Sequence, residues 1–189
     1  MQDTSFIGTV PNKIRAGSTP GGIRIQGKEL VLNLQSGTAN NFGANGLGTP
    51  AVFALRPDTF YRLDAYGTLY EYYFFHKVRA WFISNQPTTE RGSIVMCTEY
   101  DVKDLPPATV VTMCRNQFNT IANIYSTCYV DMIGSLSRLK RYSCQQDNGA
   151  DAAQTTQAEV QMATQSYPTS SVTVGHIVIE YDIEFYVPC

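Results

Sequence analysis

Two aspartates, Asp101 and Asp104, stand three residues apart in "YDVKD", directly after an apolar run. Carboxylates at that spacing suit a hard cation such as calcium, which gathers about six to eight oxygens. Two carboxylates cannot complete that shell, but two chains meeting at the same place can. The spacing equally suits a turn whose aspartates cap the helix that follows. Spacing alone leaves both readings open. Glu180, Asp182 and Glu184 form a second acidic set, on one face of "GHIVIEYDIEFYV". Side chains two apart on a strand share a face. Like charges there call for water, a second cation, or basic neighbours such as Lys77 and Arg79.

Other chemistries fail on residue type and spacing. His76 and His176 are the only histidines, and a hydrolase would set a nucleophile and an orienting acid around one of them. No G-x-S-x-G elbow is present, so His76 is read as a hydrogen-bonded core or interface residue and the chain as no enzyme. "NNFGANGLG" lacks G-K-[ST] and a following helix signal, which excludes a phosphate loop. The five cysteines (Cys97, Cys114, Cys128, Cys144, Cys189) are odd in number and widely scattered. Without a C-x-x-C pair they exclude zinc and thioredoxin-like sites and indicate free thiols in a reducing compartment. "SRLKRY", residues 137–142, is the densest basic cluster. It reads as a solvated strand end, with RNA, DNA or an acidic neighbour as the alternative it would face.

Charged residues make up 16% of the chain and the net charge is −2. Phosphate neutralisation needs clustered Lys and Arg, so nucleic acid is bound only weakly through this chain. No run of 18 apolar residues predicts a membrane span, and "MQDTSFIGTVPNK" has neither the basic start nor the apolar stretch of a signal peptide. The 189 residues, 43% of them hydrophobic, suit one domain with a sizeable core.

The elements that carry these residues read mainly as strands. Residues 1–28, punctuated by Pro11, Gly17, Pro20, Gly21, Gly22 and Gly27, read as an arm, and 29–189 as the domain. "KELVLNLQ" predicts a strand burying Leu30, Leu32 and Leu34. "AVFALRP" predicts a second strand, and "DTFYRLDAYGTLYE" a turn or two of irregular helix. Over 70–83 the even positions (Tyr70, Tyr72, Phe74, His76, Val78, Ala80, Phe82) form the expected core face. The odd positions, with Glu71, Lys77 and Arg79 between aromatic ends, face outward. "GSIVMCTEY" follows as a strand, and Pro106 and Pro107 open one helix in "DLPPATVVTMCRNQFNT". "IANIYSTCYVDM" and "SRLKRYSCQ" are strand-like, "DNGADAAQTTQ" reads as a loop, and "AEVQMATQS" alternates weakly. In the last strand Ile177, Ile179, Tyr181, Ile183, Phe185 and Val187 are all apolar. Short strands, Gly/Pro turns and a single helix indicate an antiparallel all-β sandwich.

Three stretches in order, "FALRPDTFYRLDAYGTLYEYYFFHKVRAWFIS", "PTTERGSIVMCTEYDVKDLPPAT" and "VGHIVIEYDIEFYVP", resemble one family. It is the shell domain of tombusvirus-, sobemovirus- and necrovirus-like coat proteins, whose relatives also occur in chimeric DNA viruses. The resemblance covers roughly residues 29–188 and is thin over 131–170. It implies an eight-stranded antiparallel jelly roll with one or two short helices. It also implies self-assembly of identical copies into an icosahedral shell in a virion, formed in the host cytoplasm or nucleus around the genome. Calcium held between subunits by Asp101 and Asp104 is implied too. The family's long basic arm has no counterpart in residues 1–28. The alternative on the same fold is an oligomeric jelly-roll module that binds carbohydrate or a receptor.

Overall fold

The structure, a computed structural model, describes residues 17–19, 22–133, 141–144 and 151–189. Among these, β1 (Gly17–Thr19), β2 (Gly22–Gln35), β3 (Ala51–Ala54), β4 (Tyr70–Ser84) and β5 (Ser93–Glu99) precede a single helical turn. Then come β6 (Asn119–Asn123), β7 (Cys128–Ile133), β8 (Tyr142–Ser143), β9 (Glu159–Gln165) and β10 (Thr173–Pro188). One sheet has the order β1-β2-β10-β4-β7, with β8 also on β4, and the other has the order β3-β9-β5-β6. All pairings are antiparallel. The eight strands β2-β10-β4-β7 and β3-β9-β5-β6 make the two layers of a jelly roll, to which β1 and β8 are additions.

The core lies between the layers. Ile177, Ile179, Tyr181, Ile183 and Phe185 point inward from β10 and are buried, as their alternation predicted. Phe60 fills the centre, with ring centroids 5.3 Å from Phe53, 5.2 Å from Tyr181 and 5.7 Å from Phe75. Burying one such ring stabilises the fold by about 1.5–3 kcal/mol.

Two bulges correct the expected faces. In β4, Asp182 pairs with Lys77 while Ile183 pairs with Phe75, so His76 is an extra residue without a backbone register partner on β10. An inserted residue shifts the alternation by one. Val78, Ala80 and Phe82 are therefore buried as expected, but below the bulge the buried inward pair is Tyr73 and Phe75. Tyr72 is 38% exposed, and His76 stands on the outer face with Glu184. In β2 the register jumps between Leu32 and Leu30, leaving Val31 extra. Leu30 consequently faces outward at 62% exposure, and Glu29 faces inward instead.

The first strand also begins earlier than expected. Residues 22–28, assigned to an arm from their glycines, are the first half of β2. Gly27 serves a close approach there: a Cβ would stand 2.5 Å from the Tyr181 hydroxyl of β10. The remaining helix is short. The turn α1 (Asp64–Gly67), preceded by a 3-10 turn at Pro57–Thr59, fulfils the irregular helix expected between β3 and β4. The helix expected from Pro106 is only α2 (Val110–Met113). Thr109 is extended and its Oγ1 accepts the Thr112 N–H at 3.2 Å, so the hydroxyl rather than a proline starts the helix. Within the expected loop 147–157, Ala152–Thr155 forms α3. Of "SRLKRY", residues 137–140 lie outside the described residues.

Candidate functional site

The Asp101–Asp104 turn is built by the end of β5. Glu99 Oε1 accepts the N–H groups of Tyr100 at 2.8 Å and Asp101 at 3.0 Å, while Oε2 accepts Asn116 Nδ2 at 3.1 Å. Asp101 Oδ1 accepts the Lys103 N–H and Asp101 O accepts the Asp104 N–H, both at 3.0 Å. This is an aspartate-stabilised turn. It is not the expected helix cap, because Thr109 holds that position. Lys103 Nζ donates to Asp151 Oδ2 at 2.7 Å, which ties the turn to the start of α3.

Both aspartates are exposed, and carboxylate oxygens are the donors a hard cation prefers. In number they fall short: among the described residues no three His, Cys, Asp or Glu side chains are grouped to hold a metal. Two carboxylates are oxygen donors of the kind calcium takes, but they fall short of its shell of about six to eight oxygens. Beside it, Glu159 lies directly across from Glu99 on β9. Burial, helped by the Glu99 charge and opposed by the Gln161 hydrogen bond, pushes the Glu159 carboxyl above its ordinary range.

The acidic set on β10 separates into three environments. Asp182 accepts two hydrogen bonds from Arg24, at 2.7 and 2.6 Å, and one from Gln26 at 3.0 Å. Burial disfavours its charge, but the Arg24 and Gln26 bonds outweigh burial and hold the carboxyl below its ordinary range. Glu184 is buried, bonded to His76 Nε2 at 2.8 Å and to the Tyr186 hydroxyl at 2.7 Å. Burial and the bond to Glu184 push the Tyr186 phenol up to about 12, and the Arg141 guanidinium lies 4.2 Å over its ring. Glu180 is exposed, between Lys28 and Arg79 in register.

The solvated reading therefore describes Glu180 and not its two neighbours. Arg79, expected to serve this set, bonds instead to Asp131 on β7 at 2.6 and 3.0 Å. Lys77 is exposed opposite Asp182. Sequence reasoning missed Arg24, placed in the arm, and Asp131. Their partners lie 158 and 52 residues away, so no local pattern marks them. His176 Nδ1 pairs with Asn33 Oδ1 at 2.7 Å. All five cysteines are free, and burial pushes the Cys97, Cys128 and Cys144 thiols up to about 12. Such thiols hold little nucleophilic thiolate.

The sequence matches the model of the viral coat protein (S domain) family over residues 7–189. The chain belongs to that family. The coat-protein match begins inside the stretch assigned to an arm. A comparison with curated protein sequences gives no match. Solved structures show the same fold. Cucumber necrosis virus superposes with a TM-score of 0.78 at 19% identity, covering 90% of this chain and 58% of the other. Tobacco necrosis virus gives 0.77 at 21% identity, covering 89% and 97%. Mud crab tombus-like virus gives 0.76 at 16% identity, covering 92% of each chain. The coat-protein domain thus spans just over half of the cucumber necrosis virus chain and nearly all of the tobacco necrosis virus chain. Its place in the family makes it a structural protein of a virus capsid.

Proposed function

We propose that this coat-protein domain is the repeating unit of an icosahedral shell, assembling with copies of itself around a genome and catalysing no reaction. The family match over residues 7–189 carries this reading. The site chemistry agrees: three thiols are held protonated, and the two histidines pair with Glu184 and Asn33 rather than with a hydroxyl or thiol. A net charge of −2 supports weak contact with nucleic acid through this chain. Among the described residues no helix is long and apolar enough to cross a membrane. The five free cysteines favour assembly in a reducing host compartment, the cytoplasm or nucleus, before residence in the virion.

Asp101 and Asp104 would supply two carboxylates to a calcium shared with a neighbouring subunit. Bound calcium would neutralise carboxylates that otherwise repel one another across that contact. The test is particle radius at neutral pH, with and without a chelator, for the native chain and for Asp101→Asn/Asp104→Asn. Swelling of native particles on chelation, with the double variant already swollen, is expected. An unchanged radius and disassembly threshold would remove the calcium contact and leave the shell reading intact. The carbohydrate-binding alternative is disfavoured by Trp81, since Lys28 Nζ and the Arg79 guanidinium lie 5.3 and 5.6 Å from its ring, where a sugar would stack.

A further inference from the structure

The outer face of the β2-β10-β4-β7 layer is ordered in rows that run across the strands. Leu30, Val178, Trp81 and Tyr129 are neighbours in register and make one apolar row. The next row is Lys28, Glu180, Arg79 and Asp131, with signs plus, minus, plus, minus. The row after it sets Gln26, Asp182 and Lys77 side by side. Leu30 is 62% and Tyr129 44% exposed, and Gln26, Lys77 and Glu180 are exposed as well. The outer face of the other layer is different. There Val95, Cys97 and Ala163 are fully buried beneath Met113, Val110 and Phe42.

We propose that this face, uncovered among the described residues, is a contact between two copies of the chain, related by a two-fold axis parallel to the strands and passing between β10 and β4. The proposal rests on the reading of the chain as an assembling subunit and adds which faces meet. The charge pattern specifies the occupant and its orientation. Rotation about that axis reverses the order within each row. Lys28 then meets Asp131 of the second copy, Glu180 meets its Arg79, and Asp182 meets its Lys77. In the apolar row Leu30 covers Tyr129 of the second copy and Val178 covers its Trp81. A two-fold along the row would instead set like charge on like.

The groups are also fixed in advance. Arg79 is held by Asp131 and lies 4.3 Å over the Tyr129 ring, while Trp81 and Tyr129 have centroids 4.8 Å apart. Side chains ordered before contact lose less entropy on association, and Trp, Tyr and Arg are the usual anchors of such contacts.

Trp81 is the only tryptophan, so its emission reports burial of this face. Association and emission are measured by sedimentation and fluorescence for the native chain, Leu30→Glu and Leu30→Glu/Tyr129→Lys. Leu30→Glu is expected to weaken association about tenfold or more, with the monomer's thermal midpoint retained. The double variant is expected to recover it, because the carboxylate introduced on β2 would face the ammonium introduced on β7 of the second copy. Within one copy these positions are three strand spacings apart, about 14 Å, too far for rescue inside a chain. Particles that form with Trp81 emission unmoved and tolerate Leu30→Glu would overturn the proposed face and leave the shell reading standing. Failure of the double variant to recover association would overturn the two-fold. Dimers that bury Trp81 without ever forming particles would support the face and overturn the shell reading. A chain that stays monomeric contradicts both.

Discussion

Among the described residues Phe75 lies where β4 lacks a strand neighbour on one side, since β7 ends opposite Lys77 and β8 begins opposite Tyr73. The buried Gln157 side chain fills that gap: its Oε1 accepts the Phe75 N–H at 2.7 Å and its Nε2 donates to Phe75 O at 2.8 Å. Leaving a buried backbone group unpaired costs about 1–3 kcal/mol. Gln157→Leu is therefore expected to lower unfolding stability by about 2 kcal/mol or more, read as a shift in the denaturant midpoint at unchanged slope. Two carboxyls give opposite pH signatures. Asp182 is depressed in the fold, so its stabilisation is present above its ordinary value near 3.8 and is lost as pH falls below it. Arg24→Leu should flatten that acid limb of the stability curve. Glu159 is raised, so its charge opposes folding at neutral pH. Glu159→Gln should stabilise the chain at pH 7 in the presence of chelator, and the advantage should shrink as pH falls through the raised value toward the ordinary 4.5, below which it is gone. Equal thermal midpoints at pH 7 would contradict this.

At the scale of the element, the aromatic strand divides into a part that was legible and a part that was not. Alternation located β4 and β10 and assigned every inward residue of β10 from Ile177 to Phe185, because that stretch keeps one phase, whereas Val187 beyond it is 40% exposed. It misplaced Tyr73, Phe75 and His76, since the bulge is set by pairing with a strand about a hundred residues away. The same holds for Leu30. The glycines near the start suggested an arm, whereas Gly27 lies in β2 and makes room for Tyr181. Gly27→Ala should displace the Tyr181 ring and its hydrogen bond to Glu29, lowering stability by about 1–3 kcal/mol. The bulge gives a sharper prediction. Deleting one residue of a strand normally turns the following side chains to the other face. Deleting His76 removes only the extra residue and keeps Phe75 and Val78 inward, so that variant should fold, with strand content by circular dichroism close to native. Deleting Arg79 should not give a folded chain. Equal outcomes for the two deletions would refute the assigned phase.

At the scale of the whole molecule, one outer face is roofed by α2 and Phe42, and among the described residues nothing roofs the other, whose rows stand in register. Identical copies that present rows of alternating charge are suited to meeting one another. The fold class was readable from strands and turns, and the family from three ordered motifs. The carboxylate turn was readable as a pair but not as a site, since the remaining donors would belong to another chain. The most direct measurement is the mass of the particles formed by the purified chain at neutral pH with calcium. Closed shells many times heavier than the 21.0 kDa subunit are predicted. A chain that stays a monomer or small oligomer under those conditions, while folded by circular dichroism, would contradict the capsid assignment.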